Sequence, residues 1–476
     1  MFRRIAIATA RAAALGLLAF TVTSACLSEA RAGAFYLPER GARALSLGGA
    51  FVAGADDMNA QWMNPAGLLR LKHGFDLYLD LAVITSDQTF DRADDAEVMR
   101  KDPLYADGFP TASDKGGPFP DPSLGVASNF GLDDWMFALG VYGPYAGTNK
   151  WDDDGPQRYS LSNLSAVELF AQLSVAWRPT KTLSLGIGLQ WIVTSLTQRL
   201  TISTYPGVFG WSEERDLDAL AEVKADDAFT PCANFGVIWS PVDLLDIGLS
   251  AQLPAHAAPA GKLKVRKPSS FYFSDSDVVG DNIEVGLDFP LILRLGLRLH
   301  DEDLWSVELA GVYEGWSVDD TIDVAPGKGG IAFTNVPGIG TYTVKPFAID
   351  VQYKDVISVR LGGSFRPGNG PVTFRAGGYY ESGAPPDRTL TVLDIDGDKI
   401  GLGLGATFHL GTFTIDIAGA WIDTFERTVT NSDKTQVNPI FDADPKPYAD
   451  SGPSTVGNGT YKVTNFIAAL TFGAAL

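Results

Sequence analysis

The residues best equipped for chemistry in this chain are arginines spaced along apolar stretches: Arg294, Arg298, Arg360, Arg366 and Arg375. A guanidinium offers five N–H donors in a planar fork that fits a carboxylate two bonds at a time. Two uses follow. The arginines pair with Glu and Asp of neighbouring strands as internal charge, or one of Arg294, Arg298, Arg360 and Arg375 holds a ligand carboxylate. Catalytic constellations are missing from the sequence. His73, His256, His300 and His409 lie too far apart for metal-ligand spacing. No Gly-x-Ser-x-Gly elbow, His-Glu-x-x-His pair or phosphate loop occurs. His409 beside a serine is a pairing any sequence offers, so no enzyme is expected. Asp394-Ile395-Asp396-Gly397-Asp398 begins like a calcium loop, but its Gly stands fourth rather than sixth and no Glu stands twelfth. It reads as a solvated connector, as do Asp152-Asp153-Asp154 and Asp319-Asp320. Cys26 and Cys232 build neither a disulfide framework nor a zinc site. Metal and cofactor are both expected to be none.

Stretches of alternating character must position those arginines. Leu183, Leu185, Ile187, Leu189, Trp191 and Val193 alternate with Ser184, Gly186, Gly188, Gln190 and Ile192. Successive strand side chains point to opposite faces, so one face is apolar and the other small or polar. Leu293, Leu295, Leu297 and Leu299 alternate with Arg294, Gly296, Arg298 and His300. Val359 and Leu361 alternate with Arg360, and Ile400, Leu402, Leu404 and Phe408 with Gly401, Gly403, Gly405 and His409. The pattern predicts fourteen strands, at 74–85, 121–131, 134–145, 166–178, 182–199, 228–240, 244–265, 285–299, 303–319, 346–366, 371–382, 399–410, 412–428 and 461–473. Several exceed the five or six residues usual in soluble sheets and fit the nine to eleven or so of a tilted membrane strand.

Connector lengths alternate as well. Gly131-Leu132-Asp133-Asp134, Pro179-Thr180-Lys181, Pro241-Val242-Asp243 and Pro367-Gly368-Asn369-Gly370 are short; 86–120, 146–165, 200–227, 266–284, 320–345, 383–398 and 429–460 are long and acidic. Short turns at one end and long loops at the other mark an outer-membrane barrel. Trp135, Trp177, Trp239, Trp305, Trp316, Tyr353 and Tyr380 near strand ends are expected to form its aromatic girdles. A secreted sandwich or propeller with the Leu faces turned inward is the alternative. In lipid only closure satisfies every backbone group, so the expected fold is all-β: a 14-stranded antiparallel transmembrane barrel.

Composition agrees. Of 476 residues 45% are hydrophobic and 51 are Gly, an excess over the usual 7% or so that suits turns and tight packing. A net charge of −20 repels phosphate, so no nucleic acid is expected as a partner. Arg3, Arg4 and Arg11 precede an apolar run, Ala12 to Ala25, and Ala30-Arg31-Ala32 follows. This order predicts a signal peptide over 1–32, cleaved before Gly33.

Residues 33–73 do not alternate. Their Gly and Ala density suggests closely packed backbone with short helical turns, enough to fold inside a wide barrel that would otherwise be an aqueous pore. Here the chain resembles the FadL family of outer-membrane transporters for long-chain fatty acids and other hydrophobic compounds. The resemblance rests on Gly48-Gly49-Ala50, Ala55-Asp56-Asp57 and Asn64-Pro65-Ala66-Gly67 in that order. It continues in Tyr353-Lys354-Asp355 before Val359-Arg360-Leu361-Gly362-Gly363, in Phe374-Arg375-Ala376-Gly377-Gly378-Tyr379, and in Ala384-Pro385-Pro386-Asp387. It implies a hatch over 33–73 inside a barrel over 74–476, with Asp56, Asp57, Asn64, Pro65, Ala66 and Gly67 as the hatch motif. It implies passive uptake of a long-chain fatty acid or similar hydrophobic ligand through an apolar pocket, hatch rearrangement and sideways exit at a kinked third strand. Gly140, Gly143 and Pro144 fall in that strand. An aromatic-hydrocarbon transporter of the same family and a general diffusion porin are the alternatives. A monomer in the Gram-negative outer membrane is expected, in contact with lipid and lipopolysaccharide, to which divalent cations on the loop acids would bridge. The chain closes on Phe472-Gly473-Ala474-Ala475-Leu476, where outer-membrane barrels usually end on an aromatic residue; Phe472 is the nearest substitute.

Overall fold

The alternation becomes wall. In a computed structural model that describes residues 41–71, 74–207, 209–301, 304–318, 320–337, 340–439 and 453–476, fourteen strands form one closed antiparallel sheet. They are β1 Phe75–Arg92, β2 Phe119–Ser128, β3 Trp135–Lys150, β4 Asn163–Thr180, β5 Leu183–Ser203, β6 Asp218–Val242, β7 Leu245–Gln252 and β8 Ile292–Asp301. After them come β9 Trp305–Glu314, β10 Val356–Phe365, β11 Val372–Glu381, β12 Lys399–Leu410, β13 Phe413–Val429 and β14 Gly459–Ala475. Each pairs with the next, and β14 returns to β1 in unbroken register from Asp76↔Ala475 to Arg92↔Gly459. The expected signal segment 1–32, Cys26, His73 and Asp319 lie outside the described residues.

Exposure settles which way the apolar face points. On β5, Ile187, Leu189, Trp191 and Val193 face outward, while Gly188, Gln190, Ile192 and Thr194 face the lumen. Leu79, Leu81, Leu139, Leu173, Leu249, Leu293, Leu295, Leu309, Leu361, Leu404 and Leu470 continue that exposed apolar band around the wall. Each such Leu left in water forgoes roughly 2 kcal/mol of transfer free energy, and a band this wide belongs in lipid. A sandwich would have turned these faces inward. Among the described residues no helix is long and apolar enough to cross a membrane.

Boundaries differ from the sequence expectation where proline or glycine breaks a ladder. The strand expected over 244–265 is three, β7, Ala255–Ala257 and Ala260–Arg266, parted at Pro254 and Pro259. That over 285–299 is broken at Pro290, and that over 303–319 stops at Glu314 before Gly315. The span 346–366 divides at Gln352, whose φ is 47°. The segments expected as loops fold in part. Leu220–Asp226 of β6, Asn282–Val285 and Thr321–Pro326 extend the wall into the expected loops, where they pair with Ala260–Arg266 and Phe347–Asp350 of the expected strands.

Two further expectations are corrected. Trp135, Trp177 and Trp239 are exposed at the short-turn end and Tyr380 at the other, as girdle residues are, with Trp135 and Trp177 stacked 5.6 Å apart. Trp316 and Tyr353, however, are buried on the lumen side, because both follow breaks that turn the chain inward. Asp394 and Asp396 are buried too, not solvated. Asp396 bonds Lys399 Nζ at 2.7 Å and accepts from Ala384 N. Among the described residues no cluster of His, Cys, Asp or Glu is arranged for a metal.

Candidate functional site

The lumen is filled by residues 41–71, which precede β1 and dock through their backbone on wall positions that lack side chains. A β-carbon at Gly248 would stand 2.7 Å from Ala53 Cα, one at Gly362 2.5 Å from Leu47 O, and one at Gly296 2.8 Å from Ala53 N. Gly186 and Gly236 leave the same room for Pro65 and Ala66, Gly377 for Leu47 and Gly403 for Leu45, while Gly125 admits the end of the Met58 side chain. These glycines are cross-strand partners: Gly186↔Gly236, Gly248↔Gly296, Gly362↔Gly377 and Gly377↔Gly403. They form a groove around the inner wall.

Within this luminal segment the helix α1 (Gly41–Ser46) lies against β12 and β13, and α2 (Ala60–Met63) leads into a 3-10 turn, Pro65–Arg70. Asn64 joins the two. Its Oδ1 accepts from Ala66 N at 3.2 Å, capping the turn that Pro65 starts without an N–H to satisfy. Its Nδ2 donates to Val52 O at 2.9 Å and to Val237 O of β6 at 3.2 Å. Asn64, Pro65, Ala66 and Gly67 are all buried, and Gly67 sits where any side chain would strike Ala55. Asp56 pairs with Arg43 at 3.1 Å, which reaches on to Asp416 of β13 at 3.0 Å. Asp57 turns back into its own segment and accepts from Asn59 N at 2.8 Å.

The firmest tie was not visible in sequence. Glu308 of β9 accepts from three successive amides, Val52, Ala53 and Gly54, at 2.6, 2.8 and 2.7 Å. Charge-assisted bonds of this kind are about twice as strong as neutral ones. Nothing distinguishes Glu308 from other lumen-facing acids until the segment is in place.

The four candidate arginines all face inward, and each meets the protein itself. Arg294 lies over the Trp62 ring, 5.0 Å from its centroid, and donates to Ser250 Oγ at 3.4 Å. Arg298 pairs with Asp246 at 3.2 Å, an acid it shares with Arg70 at 2.7 Å. Arg360 pairs with Glu381 at 2.7 Å and reaches Gly48 O at 3.4 Å. Arg375 donates to Thr407 and lies 3.8 Å from Asp416. They hold the wall together and bind the luminal segment to it.

The third strand is irregular where Gly143 and Pro144 stand. The β3–β4 register shifts between Tyr142 and Tyr145. Inward–outward alternation ends there, and residues 142–149 are buried without a break. On its other side β3 pairs with β2 only from Phe137↔Ser128 to Val141↔Leu124, although β2 stays paired to β1 up to Phe119↔Ile84. Residues 119–123 and 142–148 therefore face each other across an interrupted ladder. Pro120 and Pro122 lack the N–H that a second partner would need. Both prolines are visible in the sequence as breaks of a ladder. Gly140 is different: it pairs regularly with Gly125, and its missing side chain admits the Gln61 amide.

A series of rings runs from the luminal segment past this break. Trp62 lies 5.9 Å from Tyr142, 6.2 Å from Tyr145 and 5.6 Å from Phe170; Tyr145 lies 5.0 Å from Phe289 and 6.3 Å from Trp316; Trp316 lies 6.1 Å from Tyr353. Tyr145, Phe289, Trp316 and Tyr353, with Leu164, Leu196, Val285 and Leu393, enclose an apolar cavity of about 80 Å³. Its residues come from strands and loops far apart in sequence, so periodicity alone did not reveal it. The arrangement offers apolar molecules a pocket beside a break in the wall.

Comparison with known proteins bears on this geometry. The family model described as outer membrane protein transport protein (OMPP1/FadL/TodX) matches residues 23–450. No curated protein matches the chain by sequence. A Pseudomonas aeruginosa FadL homologue superposes with a TM-score of 0.73 at 17% identity, over 93% of this chain and 99% of its own. The Pseudomonas putida toluene transporter TodX gives 0.65 at 16%, over 94% and 100%. The Ralstonia pickettii toluene transporter TbuX gives 0.61 at 16%, over 91% and 98%. At such identities the likeness is one of fold.

Proposed function

The chain belongs to the OMPP1/FadL/TodX family of outer-membrane transport proteins for hydrophobic compounds, and on that premise we propose that it admits compact, uncharged apolar molecules passively from the outer side. Such a molecule enters the ring-lined cavity, residues 41–71 act as the hatch, and it leaves sideways into the membrane between β2 and β3. One observation carries this reading: the interrupted β2–β3 ladder lies where Tyr145 bounds the cavity. Residues 1–32 are taken to be the cleaved leader and 74–476 the barrel, working as a monomer among outer-membrane lipid and lipopolysaccharide.

The charge pattern supports an uncharged ligand over a fatty acid anion. The cavity lining contains Glu168 and Asp288 but no Lys, Arg or His. Arg294, Arg298, Arg360 and Arg375 bond the wall and the luminal segment instead. A carboxylate entering the cavity would meet acids. The volume of about 80 Å³ also falls below the roughly 300 Å³ and upward of pockets for drug-sized ligands, and a small ring fits it better than a long chain.

The test is a reversible clasp across the break. Gly143 lies close to Asp121, with a β-carbon there 3.8 Å from Asp121 Oδ1, so Asp121→Cys with Gly143→Cys places two thiols within reach. Uptake of labelled toluene and labelled oleate is measured in a Gram-negative host lacking its own transporter of this kind. Saturable toluene uptake, lost on oxidation and restored by reductant, is expected. Uptake indifferent to oxidation would refute the lateral route, and saturable oleate uptake without toluene uptake would return the substrate to the fatty acids.

A further inference from the structure

Transport of a plain hydrocarbon leaves one group in the cavity with no task. Glu168, on β4, is 3% exposed, and its Oε2 has no hydrogen-bond partner. Its side chain lines the cavity together with Leu164, Ala166, Leu196, Phe289 and Trp316. The direct cross-strand neighbours are Tyr145 on β3 and Thr194 on β5, and the Thr194 hydroxyl is itself unpartnered rather than bonded to it. The two other lining groups able to carry charge or donate from a side-chain amide, Asp288 and Gln198, form no bond to it.

A buried polar group without a partner costs stability, and an acid costs more than an amide or hydroxyl. Wall closure does not require the acid, since neighbouring lumen positions such as Ala166 and Phe170 are apolar. The carboxyl is also placed by the irregularity of β3, because the register shift sets Tyr145, rather than Gly143 or Pro144, opposite it. It faces the space a ligand would fill at the point where the wall is open to one side.

We propose that the cavity takes a small aromatic molecule bearing a hydroxyl group, and that Glu168 accepts the hydrogen bond from that hydroxyl. The ring lies among Tyr145, Phe289 and Trp316, whose centroids stand 5.0 and 6.3 Å from that of Tyr145, spacings that suit edge and offset contacts with a further ring. The hydroxyl supplies the partner that the carboxyl lacks within the protein. Selectivity follows from asymmetry: a site built to bond a hydroxyl discriminates against the analogue without one because its own polar group is then stranded. This inference rests on the transport reading above and names the chemical class of its substrate.

Three probes of one shape test it: toluene, p-cresol and p-toluate, titrated calorimetrically into the full chain purified in detergent. The wild type is expected to bind p-cresol about tenfold more tightly than toluene, as one hydrogen bond allows, and p-toluate most weakly. Glu168→Leu should bring p-cresol down to the level of toluene with toluene binding kept. Glu168→Gln, nearly isosteric and retaining a carbonyl acceptor, should keep a reduced preference, and heat-modifiable gel mobility verifies that each variant forms its barrel. A p-cresol preference that survives in Glu168→Leu, or saturable toluene binding by the wild type without that preference, overturns the inference and leaves the transport reading standing. Absence of saturable binding by any probe to the wild type overturns both.

Discussion

The bond between Glu308 and the luminal segment offers the sharpest perturbation. Glu308→Ala removes an acceptor that serves the amides of Val52, Ala53 and Gly54 at 2.6 to 2.8 Å. Hydrogen bonds to a charged group contribute about 1.5–3 kcal/mol each, so the gross loss for three is on the order of 5–9 kcal/mol. Water entering the space of the lost side chain would satisfy part of the deficit, leaving a net of roughly 3–5 kcal/mol against local opening. At 1.36 kcal/mol per tenfold, the opening equilibrium shifts by a factor of about 10² to 10⁴. The effect is local because the wall around β9 keeps its pairings to β8 and β10. Hydrogen exchange at those three amides should accelerate by that factor while exchange in β1 and β14 stays slow. Planar-bilayer recordings should show openings that the wild type lacks. Glu308→Gln, which retains one carbonyl acceptor without charge, should fall between. Unchanged protection at 52–54 in a folded Glu308→Ala barrel would refute the assignment of this carboxylate as the latch.

Asn64→Ala removes the bonds to Val52 O and Val237 O together with the cap on Ala66 N; uptake should fall several-fold while heat-modifiable mobility is retained, and unaffected uptake would show that these bonds have no part in transport. Gly377→Val thrusts a branched side chain into the backbone of Leu47; the expected result is steady conductance from a displaced luminal segment, read in single-channel recordings. Burial, with Asp396 beside it, pushes the Asp394 carboxyl up to about 7, against the Tyr353 hydrogen bond and Lys434, which lower it. Its proton is therefore held in the folded loop and released in the open one, so loop stability declines as pH rises from about 4 to about 7 and is level above that. Asp394→Asn should abolish this slope, as followed by hydrogen exchange over Thr391–Asp394.

The strands were legible because lipid and lumen impose opposite demands on alternate residues: Ile187, Leu189 and Trp191 could face only lipid once Gly188 and Gln190 faced inward. The close packing of the luminal segment was legible as well, from its Gly and Ala density and its lack of alternation. What escaped was whatever depends on a neighbour supplied from elsewhere. Trp316 and Tyr353 have the composition of girdle residues, and only the breaks before them turn them inward. Asp394 and Asp396 read as solvated because an acidic loop gives no sign that Tyr353, Lys399 and Ala384 will enclose it. Glu168 and Glu308 are two inward acids of the same kind in sequence. One is cradled by three amides and the other by none, a difference that only the folded luminal segment and the cavity create. The break at β3 was half legible: Gly143 and Pro144 marked it, while Pro120 and Pro122, across the gap, complete it.

The glycine groove has a consequence for which substitutions the protein tolerates. At Gly248 and Gly377 the wall meets only the main chain of the luminal segment, so the two partners carry unequal mutational burdens. At these contacts the enclosed peptide can exchange one side chain for another of like size without changing what the wall feels, whereas the wall can accept no side chain at all. A variant library over both would therefore find the enclosing surface nearly immutable at these points and the enclosed segment permissive.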